Sequence, residues 1–356
     1  MSNPAEKKPH AVLIPFPAQG HINPFFRLAK LLHLRGFHIT FVHTEYNYKR
    51  LLNSSALKAF HVLPDFHYET IPDGLPLIDA AANVTQDPVS LGKSVRENSL
   101  IPFRELLSKL NDSAIAGLIP PVTGLVSDFC LTFTSKAAQE LALPILLFSP
   151  VSATCLVSIM NLRDLSDKGL IPLKDESYLT NGNYGSRTTL EFAWGLANRP
   201  FLWIIRPDLV IGGSMILSSE FVTEISDRGL IASWCSQEQV LNHPSIGGFL
   251  THCGWNSTTK SVCAGVPMWC WPVSTDQPTN CRSICSELGI GIEINTDVKR
   301  KEVEKNVNEL ILGEKGKEMR QKVMQLKKKV EEDTRSGGLS YRNLDKVIKE
   351  VLVKQT

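Results

Sequence analysis

The stretch FLTHCGWNSTTKSVCAGVPMWCWP, Phe249 to Pro272, decides the fold of the second half of the chain. It begins as an apolar strand, passes through a short polar loop and continues with the spacing of a helix. Gly254 allows close backbone approach, and Asn256 or Ser257 can cap the helix. The N-terminus of such a helix favours a phosphate or diphosphate. An ordinary capped helix beside a buried histidine remains the alternative interpretation.

Alternating strands and helices extend this pattern along the chain. The first half contains the apolar strands HAVLIPF, FHITFVHT, GLVSDF and PILLFS, separated by helical segments. A second series after residue 182 contains PFLWIIRP, GLIASW, IGGFLTH and VPMWCWP, with LEFAWGLAN as a helix before them. Charged helical segments follow at 301–312, 315–332 and 341–353. This alternation predicts two α/β halves with parallel sheets.

Composition narrows the class of protein. A length of 356 residues suits two domains, and 43% hydrophobic with 21% charged residues is typical of a globular protein. The net charge of +2 gives no reason to expect a nucleic-acid or membrane partner. Eight cysteines without a C-x-x-C pair predict reduced thiols rather than a zinc ribbon. Without a signal peptide or a long uninterrupted apolar stretch, we expect a cytoplasmic protein with no membrane span.

Several common catalytic signatures are absent from the sequence. The GKS at 92–94 lacks the glycine that a phosphate loop requires, because Asp87 occupies that position. The G-x-G beginning at Gly289 fails at Ile294 and follows a helix. No G-x-S-x-G, H-E-x-x-H or D-x-D motif occurs. We therefore expect no metal site.

A longer signature is present from Trp234 to Gln277, WCSQEQVLNHPSIGGFLTHCGWNSTTKSVCAGVPMWCWPVSTDQ. It resembles the 44-residue signature box of plant family 1 UDP-glycosyltransferases that act on secondary metabolites. PFPAQGHINP, TEYNYKRLL, YETIPDGLP and FAWGLANRPFLWIIRPDL also resemble that family. The resemblance implies an α/β GT-B-like fold, two Rossmann-like domains facing across a cleft. Residues 1–182 would bind the acceptor and residues 183–356 the UDP-sugar, with closing C-terminal helices, the last packed on the N-terminal domain.

The resemblance also implies the donor-binding residues. Trp234 would stack on uracil, with Cys235 and Gln237 nearby, and Trp255, Asp276 and Gln277 would address the sugar, with a preference for glucose. The diphosphate would contact a further set at the helix N-terminus and the preceding NYGS segment: Ser186, His252, Gly254, Asn256 and Ser257.

The catalytic pair implied by the resemblance is His21 with Asp128. His21 follows the first strand and Asp128 ends another, the positions at which parallel sheets place ligands. Asp128 would hold one ring nitrogen of His21 and stabilise the imidazolium formed when the other takes a proton. On the residues alone, a lone histidine and a lone aspartate favour purely structural roles.

The implied reaction is inverting, metal-independent transfer of glucose from UDP-glucose to a hydroxyl of a small lipophilic metabolite such as a flavonoid, terpenoid or cyanohydrin. UDP-glucose would be a co-substrate, and no separate cofactor is expected. The partners would be the acceptor and the UDP-sugar, with the protein a monomer. The sequence does not identify the acceptor.

Three departures from the family pattern bear on activity. Ser236 replaces a usual proline, a mild change. Lys260 replaces a glutamate that would accept hydrogen bonds from the ribose hydroxyls, so we expect weaker donor binding by about 10–150-fold. Family members are also longer by roughly a hundred residues, which is about the length of a typical domain.

The shortfall is concentrated between Gly182 and Asn183. It would remove the end of the N-terminal domain, the linker and the strand leading into NYGS, exposing sheet edges and apolar faces. Two alternatives therefore stay open: an inactive or impaired remnant that at most binds UDP-sugar, and an α/β interaction protein with no ligand.

Overall fold

The computed structural model describes residues 8–52, 63–76, 86–169, 199–205, 219–294 and 300–353. They form two compact units, Met1–Pro150 with Leu339–Thr356, and Val151–Gly338. Contacts thus group residues 151–169 with the second unit and the chain's end with the first. The expected boundary at 182/183, the helix LEFAWGLAN and the NYGS segment lie outside the described residues.

Ten parallel-paired strands are described. They are β1 His10–Ile14, β2 His38–Thr44, β3 Phe66–Ile71, β4 Val122–Asp128, β5 Ile145–Phe148, β6 Phe201–Ile204, β7 Gly229–Ala232, β8 Phe249–Thr251, β9 Met268–Cys270 and β10 Gly291–Glu293.

Fourteen α-helices accompany the strands over the same described ranges. They are α1 Gln19–Leu34, α2 Glu45–Leu52, α3 Pro88–Asn98, α4 Leu100–Ile115, α5 Thr132–Glu140, α6 Ala153–Met160, α7 Leu162–Asp167, α8 Ser219–Ile225, α9 Gln237–Leu241, α10 Trp255–Ala264, α11 Gln277–Arg282, α12 Arg300–Leu312, α13 Glu314–Thr334 and α14 Leu339–Val347. The π-helical turns Ser283–Glu287 and Ile348–Leu352 extend α11 and α14. None of these helices is long and apolar enough to span a membrane.

The first unit is built on one five-stranded sheet in the order β3-β2-β1-β4-β5. Every residue of β1 and β2 is buried, as expected for central parallel strands covered on both faces. Successive side chains of β1 enter opposite cores, Val12 on one face and Leu13 on the other.

The C-terminal π turn belongs to the core on the second of these faces. Ile348 and Leu352 pack there with Leu13 and Val126. Gly124 makes room for this turn, because a Cβ at that position would lie 3.1 Å from Leu352 Cδ2. The closing helix therefore packs on the first unit, as the resemblance implied.

The second unit has two sheets instead of one, β6-β7 and β10-β9-β8. In the common Rossmann order 3-2-1-4-5-6, β7 and β6 match positions 3 and 2, and β8, β9 and β10 match positions 4, 5 and 6. No described strand fills the central position 1. The strand that the sequence predicts to be missing belongs at that position.

The strands nearest the shortened region are only partly buried by the described residues. β5 and β6 contain no buried residue, whereas β1 is buried throughout. Leu147 of β5 is 52% exposed, and Met160 at the end of α6 is 74% exposed. Apolar side chains are thus exposed on these elements, as they also are elsewhere on the described surface, for example at Leu34 and Val89.

Candidate functional site

Neighbouring parallel strands bring the predicted catalytic pair together in the first unit. His21 lies in the first turn of α1, which follows β1, and Asp128 ends β4, which pairs with β1. Their side chains meet with 2.7 Å between His21 Nδ1 and Asp128 Oδ2. The carboxyl ends of adjacent parallel strands share one sheet edge, which explains how residues 107 positions apart come into contact.

The Asp128 carboxylate is held firmly by its surroundings. It is fully buried, and it also accepts hydrogen bonds from the backbone N–H groups of Phe16 at 3.2 Å and Cys130 at 3.0 Å. Since a carboxylate only accepts hydrogen bonds, His21 Nδ1 carries the proton in this contact. Nε2 is then the basic nitrogen, on a side chain that is 22% exposed.

A small cavity lies at this same edge of the first sheet. Its lining is largely apolar and includes Ile14, Val42, Ile71 and Phe133, with a volume of about 10 Å³, room for one water. Besides Thr44, two polar side chains that the sequence did not single out also line it.

These polar side chains are His43 and Ser99. His43 Nδ1 and Ser99 Oγ are buried and have no hydrogen-bond partner among the described residues. A buried polar atom without a partner is costly, so a water or a polar group of a ligand would satisfy them here. The position of His43 near the end of β2 is the sequence signal that could have found it.

The second unit carries the signature loop between β8 and α10. The helix begins at Trp255 with Gly254 as N-cap, and no side chain caps it. The predicted cap at Asn256 or Ser257 is wrong, because the helix begins earlier and both residues lie in its first turn. No acidic residue occupies that turn, so the positive end of the helix is not neutralised from within.

The backbone of this loop is tightly constrained. Cys253 has φ +64°, a left-handed conformation that is unusual for a residue with a side chain. A Cβ on Gly254 would lie 2.4 Å from His252 Nε2, so only glycine leaves His252 in place. Asn280, which the sequence did not suggest, donates its side-chain amide to Cys253 O at 2.9 Å and to Asp276 Oδ2 at 2.8 Å.

The predicted base-binding residues lie on the segment before α9. Trp234 is 77% exposed, leaving its ring accessible for stacking. Cys235 is half-buried. The Gln237 side-chain amide donates to Ser257 Oγ at 3.3 Å, which links α9 to the first turn of α10.

Lys260 lies in the second turn of α10, beyond the helix end where a positive charge costs most. Its Nζ is 3.8 Å from Glu238 Oε1 of α9, with the two side chains 20% and 54% exposed. The ion pair therefore joins the same two helices as the contact between Gln237 and Ser257. The ammonium group of Lys260 can only donate hydrogen bonds, so this side chain cannot accept one from a ribose hydroxyl.

The predicted sugar-binding residues begin α11. Gln277 Oε1 accepts backbone hydrogen bonds from Val273 at 2.8 Å and Ser274 at 3.1 Å, which leaves its amide nitrogen to donate elsewhere. Trp255 is half-buried. Ser186 lies outside the described residues. The structure thus brings donor-side residues together on α9, α10 and α11, and their roles stay predictions.

The fold places the chain in the GT-B class of glycosyltransferases. The structure of Phytolacca americana UGT2 complexed with UDP-2fluoro-glucose and pterostilbene superposes with a TM-score of 0.77, at 22% identity over 97% of this chain and 99% of that one. At this identity the likeness establishes the fold.

Sequence comparison identifies the family within that class. Residues 192–334 match the family described as UDP-glucoronosyl and UDP-glucosyl transferase. A 7-deoxyloganetin glucosyltransferase of Catharanthus roseus is 42% identical over 477 residues, covering 98% of this chain and 97% of that protein. The 7-deoxyloganetin glucosyltransferase of Gardenia jasminoides is 41% identical, and the alignment covers 98% of this chain and 98% of that protein. The chain belongs to the plant UDP-glycosyltransferases.

The same alignment measures the internal shortening. It has 477 positions, whereas the chain has 356 residues, so at least 121 positions of the Catharanthus protein face gaps in this chain. Because both chains are covered almost from end to end, these gaps are internal. The shortening by roughly a domain's length that the sequence predicts is confirmed.

Proposed function

We propose that this protein transfers glucose from UDP-glucose to a hydroxyl of a small lipophilic plant metabolite, with inversion at the anomeric carbon and without a metal. The observation that carries the proposal is the 2.7 Å contact between His21 Nδ1 and the buried Asp128 carboxylate. A buried and fully hydrogen-bonded carboxylate fixes the tautomer and orientation of a histidine, as a general base requires.

In the proposed reaction, His21 Nε2 takes the proton of the acceptor hydroxyl. The acceptor oxygen attacks the anomeric carbon from the face opposite UDP, the bond from that carbon to the diphosphate oxygen breaks, and UDP departs. Asp128 stabilises the imidazolium that forms. General-base catalysis of this kind contributes roughly 10²–10⁴-fold to the rate.

On the donor side, the N-terminus of α10 would hold the diphosphate. Its first turn has no acidic residue and no side-chain cap. This supports the role, because the positive end of the helix dipole and the backbone N–H groups of that turn can then act on a bound anion. Trp234 would stack on the uracil through its exposed ring. Asp276 and Gln277 at the start of α11 would address the glucose.

For the acceptor, the names of the two relatives give a starting compound, 7-deoxyloganetin. The cavity lined by Ile14 and Val42 has room for one water and is too small for the acceptor itself. We further propose that the polar atoms of His43 and Ser99 hold a water in that cavity.

A second candidate is a remnant that binds UDP-sugar without turnover. The division of the second unit's described strands into two sheets favours it, because no described central strand joins them to support the unit that carries the donor loop. The ion pair between Lys260 and Glu238 favours it too, since it occupies the position at which a ribose acceptor is expected.

The test uses the purified full-length chain with radiolabelled UDP-glucose and a panel containing 7-deoxyloganetin and phenolic acceptors. We expect a glucoside to form, and His21→Ala to reduce kcat by about 10²–10⁴-fold with little change in UDP affinity. Asp128→Asn should reproduce most of this loss, because the histidine would take the wrong tautomer.

Calorimetric titration with UDP separates the alternatives. UDP binding without glucoside formation from any acceptor would select the remnant, whereas no UDP binding would exclude both candidates and leave an interaction protein. An active His21→Ala variant would contradict the proposed base while leaving the transferase activity intact.

A further inference from the structure

Three cysteines that are far apart in the sequence converge behind the signature loop. Cys253 lies in the loop between β8 and α10, Cys270 ends β9 and Cys281 lies in α11. Their sulfur atoms all lie within 4.8 Å of one another, and all three side chains are buried. We refer to these three residues as the thiol cluster.

A fourth thiol adjoins the cluster. Cys285, one turn after Cys281, is half-buried and packs against the same apolar cluster as the three cysteines. The remaining surroundings are apolar side chains, among them Met268, Ile284 and Val323. Buried cysteines often pack as small apolar residues, and that role alone needs no ligand.

The distances are close to those of thiolate coordination. A tetrahedral zinc ion with bonds of about 2.3 Å holds its sulfur ligands about 3.8 Å apart. No pair in the thiol cluster is separated by more than 4.8 Å, at most about 1 Å beyond the spacing that zinc requires.

We propose that the thiol cluster, with Cys285 as the fourth ligand, binds one thiophilic divalent cation such as Zn²⁺ or Cd²⁺. Soft thiolate ligands select such ions over Mg²⁺ and Ca²⁺. Each ligating thiol releases its proton to solvent as its bond to the metal forms, and no electron is transferred. The ion would tie the loop that carries His252 and Gly254 to β9 and α11. Its role is structural and independent of the glucosyl transfer proposed above.

The experiment titrates reduced, metal-free full-length protein with Cd²⁺ and follows the ultraviolet thiolate-to-cadmium charge-transfer band. We expect saturation at one equivalent and displacement of the cadmium by excess Zn²⁺, but no effect of Mg²⁺. Cys281→Ser should weaken binding by at least tenfold. Cys263→Ser is the matched control, because Cys263 is exposed on α10 outside the cluster, and it should bind as the unchanged protein does.

A thermal-unfolding series with and without Zn²⁺ provides a readout that does not depend on enzyme activity. The metal should raise the unfolding midpoint of the unchanged protein and of Cys263→Ser, but not of Cys281→Ser. If Cys281→Ser does not fold, Cys270→Ala replaces it. Absence of a one-equivalent band in the unchanged protein, or a band that survives in Cys281→Ser and Cys270→Ala, would overturn the proposal.

Discussion

The two units of this protein differ in how completely their parallel sheets are built. In the first, five strands form one sheet, and β1 and β2 are buried along their whole length. In the second, the five strands among the described residues form two separate sheets, and β6 contains no buried residue. The same alternation of strand and helix thus gives a closed core in one unit and a divided one in the other.

This difference shows which parts of a Rossmann-like domain depend on its central strand. The contact between His21 and Asp128 survives because the strands behind it, β1 and β4, are adjacent in the intact sheet. The signature loop also survives, because β8, β9 and β10 still pair and support α10 and α11. Among the described strands, none at position 1 joins β6 to β8, so the division should affect stability before it affects local geometry.

The largest expected effect concerns the relative stability of the units. A central strand buried on both faces contributes side chains worth about 1.5–3 kcal/mol each, so we expect the second unit to be less stable by roughly 5 kcal/mol or more. All six tryptophans lie in the second unit, at positions 194, 203, 234, 255, 269 and 271. In urea at neutral pH, the tryptophan fluorescence transition should precede the main loss of far-ultraviolet circular dichroism. Coincident transitions would show that the divided unit is as stable as the intact one.

Acid, in contrast, should lower the stability of the first unit. Burial lowers the pKa of His43 from 6.5 to about 4, so the unfolded chain binds a proton that the folded chain does not bind between these pH values. The burial of His43 carries no pH-linked cost above pH 6.5, and below it the free energy of unfolding falls progressively until the pH reaches about 4. His43→Gln should reduce this acid-dependent loss of unfolding free energy by about 3 kcal/mol. The control is His243→Gln, which changes an exposed histidine of the second unit. If the free energy of unfolding depends on pH equally in His43→Gln and in the unchanged protein, His43 is not the group responsible.

A smaller effect is expected from restoring the carboxylate at position 260. Lys260→Glu supplies an acceptor for the ribose hydroxyls, so UDP affinity measured by calorimetry should rise by about 10–150-fold. The new carboxylate would face Glu238, but repulsion with a side chain that is 54% exposed is screened. Lys260→Gln separates the two contributions, because it removes the charge and adds only a neutral acceptor. Equal UDP affinity in all three proteins would show that the lysine does not limit donor binding.

The smallest expected effect compares two glycines at equivalent places in the two units. Gly254→Ala would place a Cβ 2.4 Å from His252 Nε2, displacing that side chain and weakening UDP binding by about tenfold, the loss of one hydrogen bond. Gly20→Ala is the matched change at the start of α1, where a Cβ meets no atom within 4 Å. It should leave UDP affinity unchanged. Similar losses in both variants would mean that the Gly254 effect is not local.

Much of this architecture follows from local sequence. The parallel α/β fold class, the charged helices near the C-terminus and the internal shortening were predicted correctly, because strand and helix periodicity and a long in-register signature are properties of short segments. Helix ends were less predictable. Asn256 and Ser257 are good capping residues, yet α10 begins at Trp255, because the constrained loop at Cys253 and Gly254 sets the start of the helix.

What the sequence by itself determined is the family and the fold class, and through the family resemblance His21 and Asp128 as a candidate pair at strand ends. Only the tertiary structure decided which distant residues meet: Lys260 with Glu238, Asn280 with the signature loop, and Cys253 with Cys270 and Cys281. The physical reason is that periodicity specifies which face of an element a side chain occupies, whereas its partner depends on how separate elements pack. For the same reason the missing strand can be located in the sequence, but its consequence, two sheets in place of one, becomes visible only when the remaining strands are paired.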